Sequence, residues 1–274
     1  MIRRTTILVA VFWVVLAASF PARADIGITN GLTHERSALP GETYESSIIV
    51  KNFGSKAQSF KAYQTDYCFY SDGRQLYPEP GQKPRSNAKW ITFYPQRLVL
   101  AAGESAVIKC VVKVPADKRL IGTYWSMIMV EPIDAGQVEA KTAKTPDGRV
   151  KLGIKEVLRY GVQVISNIGN SGKREIKFLG TKLVKEGQKK ILQVDVENIG
   201  ERWLRPVLVV ELFAETKGSV RKYEGGKYRI FPASSVRYRV DLTNVPKGLY
   251  KAMIIVDNQD ENVFGAEYKL QLTP

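Results

Sequence analysis

The chain has 274 residues, of which 44% are hydrophobic and 25% charged, and its formal net charge is +14 at pH 7. This length exceeds one ordinary sandwich domain and suits two domains that each bury their own core. The single histidine, His34, has no cysteine or second histidine nearby, and the sequence contains no nucleophile-elbow motif. We therefore expect a structural histidine, no metal, no cofactor and no enzymatic activity.

The first 24 residues have the pattern of a secretory signal peptide. Arg3 and Arg4 precede an apolar run of residues 7–20, and small residues follow at Ala22 and Ala24. The run is shorter than the roughly 20 residues that span a bilayer as a helix. We expect a mature chain that starts at Asp25, lies in the periplasm and has no membrane span.

Removal of residues 1–24 takes away three arginines and no acidic residue, so the net charge falls from +14 to +11. A basic surface can attract nucleic acid, an anionic membrane or an acidic protein. Export argues against nucleic acid, and the charges are spread along the chain. We expect mainly an ordinary solvated surface that also steers partners.

Residues 25–165 predict a first β-domain. Short alternating segments are separated by turn residues such as Pro40-Gly41 and Asp72-Gly73, without helical periodicity. This pattern is typical of an immunoglobulin-like sandwich. The predicted strands are residues 44–51, 58–69, 90–93, 105–114 and 124–131.

The longest alternation in the sequence closes this domain, at residues 149–165. Its even positions are apolar except for Glu156, and its odd positions include Lys151, Arg159 and Gln163. About fifteen alternating residues exceed the five or six of a usual strand. We expect one long strand, part of which projects beyond its sheet.

A second domain of the same kind is predicted for residues 174–274, after a small polar linker at residues 166–173. The pattern Val-x-Asn-x-Gly at residues 50–54 recurs at residues 196–200, and residues 122–131 resemble residues 248–257 in the same order. The chain therefore reads as two versions of one β-module. The predicted strands are residues 189–197, 207–213, 220–223, 236–242, 250–256 and 268–272.

Cys68 and Cys110 both lie in predicted strands of the first module. In an oxidising compartment they could form a disulfide. They could equally be two buried apolar core residues. In either case we predict structural residues rather than functional thiols.

Two spacings resemble the PapD-like periplasmic pilus-assembly chaperones of the chaperone and usher pathway. Arg36 stands five residues before the turn glycine Gly41, and the alternating Val150, Leu152 and Ile154 are followed five residues later by Arg159. The resemblance implies two immunoglobulin-like domains. It further implies that Arg36 and Arg159 converge to hold a pilus subunit's terminal carboxylate, while Val150, Leu152 and Ile154 fill the subunit's unfinished core.

The partners that the resemblance implies are pilin-like or other β-rich secreted subunits, together with an outer-membrane usher. The chain departs from the family pattern in its long insertion at residues 70–89 and in carrying Arg159 where the family usually has lysine. Alternatively, Arg159 is a solvated strand residue and Arg36 pairs with Glu35 or Glu42. A structural or adhesive module of the cell envelope is the competing function.

Overall fold

The computed structural model describes residues 26–133, 143–144, 150–151, 158–214 and 220–273, and of residues 143–144 and 150–151 the backbone only. Within these ranges the regular structure is β-strand, apart from one short 3₁₀ helix at Ala88–Trp90. The prediction of two immunoglobulin-like β-sandwiches in tandem is confirmed. No described helix is long and apolar enough to cross a membrane.

The first module packs a four-stranded sheet against a five-stranded one. The four-stranded sheet has the order β1-β3-β9-β7, and the five-stranded sheet has the order β2-β13-β10-β4-β8. The bounds of these strands are β1 Ile26–Ile28, β2 Thr33–Ala38, β3 Thr43–Asn52, β4 Gln58–Thr65, β7 Ile91–Tyr94, β8 Arg97–Leu100, β9 Ser105–Lys113, β10 Gly122–Ile133 and β13 Tyr160–Ile168.

Two short hairpins lie outside these sheets. One joins β5, Cys68–Phe69, directly before the long insertion, to β6, Gln75–Leu76, inside it. The other joins β11, Ala143–Lys144, to β12, Val150–Lys151.

The second module repeats the two-sheet arrangement. Its sheets have the orders β14-β15-β18 and β17-β16-β19-β20. The strand bounds are β14 Ile176–Glu186, β15 Lys189–Asn198, β16 Val207–Ala214, β17 Val220–Lys227, β18 Ser235–Asp241, β19 Gly248–Asp257 and β20 Val263–Leu272. Strand β14 was not predicted, because six of its eleven residues are exposed and none is fully buried, which weakens the alternation.

The repeated Val-x-Asn-x-Gly motif has the same structural role in both modules. The side-chain amide of Asn52 donates to the carbonyls of Leu100 and Ala101, and that of Asn198 donates to the carbonyls of Arg202 and Ile230. Both asparagines are fully buried. Because unpaired buried carbonyls are costly, each asparagine holds a loop against the end of its sandwich.

The predicted linker starts later than expected. Strand β13 continues to Ile168, because Ser166–Ile168 pair with β2 on one side and β10 on the other. Ile168 is buried in the first core. The polar composition of this segment gave no sign of a strand, because Ser166 and Asn167 make their hydrogen bonds inside the protein.

Both cysteines are free and buried. Cys110 belongs to the core of the first sandwich, whereas Cys68 starts the insertion hairpin. The disulfide that the sequence allowed is therefore absent, and the alternative of two buried thiols describes the structure. Burial raises the pKa of Cys110 to about 11, which keeps it a thiol at neutral pH.

The insertion is anchored by two buried polar side chains. Asp66 accepts from the backbone N–H groups of Gly81, at 3.0 Å, and Lys83, at 2.8 Å. Asn87 donates to the carbonyl of Val164 and to the hydroxyl of Ser166, and it accepts from Ser126. These bonds fix the insertion against β13 and β10.

Candidate functional site

Strand β13 has two unlike halves. From Gln163 to Ile168 it lies between β10 and β2, with Gln163 opposite Thr33 and Ile168 opposite Ala38. From Tyr160 to Val162 it pairs with β10 alone, and the described residues supply no strand on its other side. The first half of β13 therefore presents an open sheet edge.

The direction of the backbone groups along this edge follows from one hydrogen bond. The N–H of Gln163 donates to the carbonyl of Leu32, on the β2 side, at 2.9 Å. Alternate N–H groups of a strand point the same way. The N–H group of Gly161 therefore points to the open side, where a further strand could accept from it. The same alternation, extended to Arg159 just before the strand, predicts the same direction for its N–H group.

Arg159 lies just before this edge, in an ion pair. Its Nε is 3.0 Å from Oε2 of Glu131, and that oxygen also accepts from the hydroxyl of Tyr63 at 2.9 Å. The other carboxylate oxygen, Oε1, is 2.6 Å from Nζ of Lys61. Burial alone would raise the pKa of Glu131, but these neighbours outweigh it and lower the pKa. The side chain of Arg159 is still 59% exposed, so its guanidinium can reach a partner.

Arg36 lies elsewhere. Its register partner on β13 is Ser166. Ser166 is seven residues after Arg159, and at about 3.3 Å per residue this puts the backbones of Arg36 and Arg159 about 23 Å apart along the strand. Arg36 and Ser166 share the inner side of the sheet, whereas Arg159 is on the outer side, because its neighbour Tyr160 packs inward.

In this register the structure does not bring the two arginines together. Arg36 is exposed at the rim of the sandwich, where its charge acts on Tyr44. It does not pair with Glu35 or Glu42 within the described part of the chain, since Glu35 contacts Arg229 and Glu42 accepts from the N–H of Leu39.

Of the three predicted donor-strand residues, the structure describes only Val150. Val150 lies in the β11–β12 hairpin, where its register partner is Lys144. This pairing is separate from the sheets of both sandwiches. Leu152 and Ile154 lie outside the described residues, so their role stays a prediction.

The two modules meet through an aromatic cluster. The rings of Trp125 and Phe231 stack with centroids 4.6 Å apart and planes 8° apart, and Phe69 meets Phe231 at 6.1 Å. Trp125 also donates from Nε1 to the carbonyl of Tyr67 at 2.9 Å. The insertion thus takes part in the contact between modules.

Glu35 is the polar centre of the same junction. Its Oε1 accepts from Asn167 at 2.7 Å and from Nε1 of Trp203 at 2.8 Å, and its Oε2 is 3.2 Å from Nη2 of Arg229. The sequence analysis missed Trp203 and Arg229 as junction residues. The available signal was the aromatic and basic stretch at residues 202–205, which interrupts the second module's alternation.

No family model matches the sequence, and no curated protein matches it. Among solved structures the chain is similar to the class 5 fimbriae chaperone CfaA, at 12% identity over 91% of this chain and 99% of the other, with a TM-score of 0.44. It is also similar to a chain of the CsuC–CsuE chaperone and tip-subunit complex of Acinetobacter baumannii Csu pili, at 12% identity over 89% and 98%, with a TM-score of 0.45.

A third similar chain comes from the Salmonella enterica SafA pilin in complex with the SafB chaperone, at 10% identity over 92% of this chain and 99% of the other, with a TM-score of 0.41. Each of the three is a fimbrial chaperone or a complex that contains one, the class of protein that the sequence resembles. All three TM-scores are below 0.5.

Proposed function

We propose that this protein is a periplasmic chaperone that binds and caps pilus or fimbrial-type subunits by donor-strand complementation and delivers them for surface assembly. The observation that carries the proposal is the open edge at the start of β13. In the sequence, this edge directly follows the alternating segment that contains Val150, Leu152 and Ile154.

An incomplete subunit and this edge are complementary. A β-rich subunit that lacks one strand exposes unpaired backbone groups and an apolar groove. Pairing with Arg159 and Gly161 would satisfy backbone groups, while the alternating side chains would enter the groove. Each buried aliphatic side chain would contribute roughly 1.5–3 kcal/mol before ordering costs.

The two arginines have separate roles in this proposal. One carboxylate cannot reach two groups about 23 Å apart on opposite faces of a sheet. We assign the client's terminal carboxylate to Arg36, which lies at the rim without an ion-pair partner among the described residues. Arg159, already oriented by Glu131, would contact a second acceptor beside the donated strand.

The proposed location follows from the predicted signal peptide at residues 1–24, and the proposed partners are pilin-like or other β-rich secreted subunits. An outer-membrane usher would receive the complexes. Intact-mass measurement of the exported chain should give a start at Asp25. Retention of residues 1–24 would contradict periplasmic release.

The direct test is capture of subunits from the periplasm by the tagged full-length protein. Small β-rich chains should co-purify with the wild type in stoichiometric amount. Less should co-purify with Arg159→Ala, and none with Arg159→Pro. Proline removes a backbone donor from the open side, whereas alanine removes only the side chain. Equal capture by all three proteins would contradict strand donation and favour a structural envelope module.

A further inference from the structure

A cavity of about 710 Å³ opens between the two modules, and Thr33 and Gln163, where the open edge of β13 ends, form part of its lining. The segment from Tyr67 to Gln75, which leads into the insertion, lines it on one side, and the second module lines it on the other. Its volume is within the range of sites that hold small ligands or short peptide segments.

The wall contributed by the second module is strongly basic. Arg205, Lys227, Arg229 and Arg237 line the cavity, and no aspartate or glutamate is among its described lining residues. Asp195 neutralises Arg237 through two hydrogen bonds of 2.7 Å. The guanidinium of Arg205 has no carboxylate partner in the described ranges, and Lys227 contacts only the neutral amide of Gln259.

Arg229 is held in place but is incompletely neutralised. Its guanidinium stacks on the ring of Trp203 at 4.2 Å, and Nη2 is 3.2 Å from Glu35, which is shared with two other donors. Nη1 is buried without an acceptor among the described residues. Burial lowers the pKa of Arg229, Glu35 opposes this shift, and the nearby charge of Arg205 adds to it.

The rest of the lining is aromatic. Tyr67 and Phe69 have centroids 5.4 Å apart, and Phe231 closes this side of the cavity against the junction. Tyr228, on the basic wall, is 43% exposed. Rings with accessible faces take up a further aromatic ring at low conformational cost.

We propose that this cavity binds an acidic peptide segment that carries an aromatic side chain. Arg205 and Arg229 present planar sets of N–H donors that match carboxylates, and Lys227 adds a charge at the rim. The ring of the peptide lies against Tyr67, Phe69 and Tyr228. The assignment depends on the charge and shape of the cavity, and it stands whether or not β13 donates a strand.

The test uses short blocked peptides and the full mature chain. Acetyl-Asp-Phe-Glu-amide should bind, while acetyl-Asn-Phe-Gln-amide, which lacks both carboxylates, and acetyl-Asp-Ala-Glu-amide, which lacks the ring, should each bind at least about tenfold more weakly. Raising the salt concentration should weaken the binding of the first peptide, since salt screens the attraction between its carboxylates and the basic wall. Calorimetric or fluorescence titration measures these affinities.

Matched variants locate the site. Arg205→Gln should weaken the acidic peptide about tenfold, and Arg221→Gln, an exposed arginine at the far end of β17, should leave its affinity unchanged. Arg159→Pro, which blocks the open edge, should also leave it unchanged, so this site and the proposed strand donation can fail separately. Equal binding of charged and neutral peptides, equal effects of Arg205→Gln and Arg221→Gln, or displacement by equimolar inorganic phosphate would overturn the proposal.

Discussion

The two halves of β13 belong to one strand but have opposite surroundings. The second half, from Gln163, is enclosed by β2, by β10 and by the second module through Ile165. The first half, from Tyr160 to Val162, has one neighbouring strand in the described structure. The comparison teaches that the neighbouring strands, rather than the side-chain pattern, decide whether part of a strand is enclosed in the fold or free to pair with a partner. Changes at the enclosed end should affect folding, and changes at the open end should affect binding.

The largest expected effect is at the enclosed end, at Gly122. A Cβ placed there would be 2.1 Å from the carbonyl oxygen of Glu201 in the second module, and its φ is +74°. Gly122→Ala should lower the free energy of unfolding by roughly 3 kcal/mol or more, since it combines strain with a backbone clash.

Gly103→Ala is the matched control for this change. Gly103 has a similar φ of +76°, but nothing lies within 4 Å of its added Cβ. Gly103→Ala should therefore lower the free energy of unfolding only by the cost of a positive φ in alanine, about 1–2 kcal/mol. Equal losses in chemical denaturation of the two variants would show that the contact between modules contributes nothing.

The next effect is on client binding at the open end. Arg159→Pro should weaken the binding of a co-purified subunit at least about tenfold more than Arg159→Ala does. Proline removes a backbone hydrogen bond, and the strand register that it fixes, in addition to the side chain. Titration of the purified subunit measures both affinities. If alanine and proline have the same effect, the backbone of residue 159 does not pair with the client.

Arg36 and Arg159 provide a test of their separation. Residues more than 7–10 Å apart without shared partners act additively within about 0.5 kcal/mol. The free-energy effects of Arg36→Ala and Arg159→Ala on client binding should therefore add in the double variant. A coupling energy above about 1 kcal/mol would indicate that one carboxylate bridges both arginines.

The smallest effect is the pH dependence contributed by Glu131. The pKa of this carboxyl is lowered in the folded protein, so its stabilisation is present above the ordinary pKa of 4.5 and disappears as the pH falls through the folded value. Glu131→Gln should cost about 1 kcal/mol near neutral pH. This difference from the wild type should vanish under acidic conditions in thermal or denaturant unfolding, and a difference that grew on acidification would contradict the ion-pair assignment.

Much of the fold was predictable because it depends on local patterns. Alternation, turn residues and the repeated asparagine motif were sufficient for two sandwiches. The motif is local, since Asn52 and Asn198 accept from the N–H groups of Gly54 and Gly200, two residues on. The pairing of Arg36 with Ser166 was not predictable, because the parallel β2–β13 register is set by a long connection. The junction of Glu35 with Arg229 joins residues nearly two hundred positions apart, and a single sequence gives no signal for such a contact.

The most direct measurement is amide hydrogen exchange along β13 with and without the co-purified subunit. The N–H of Gln163 is already bonded to Leu32, so its exchange should be slow in both states. The N–H groups of Arg159 and Gly161 should exchange quickly in the free protein and slowly in the complex, because the donated edge becomes paired. Unchanged exchange at Arg159 and Gly161 in a saturated complex would contradict strand donation at this edge.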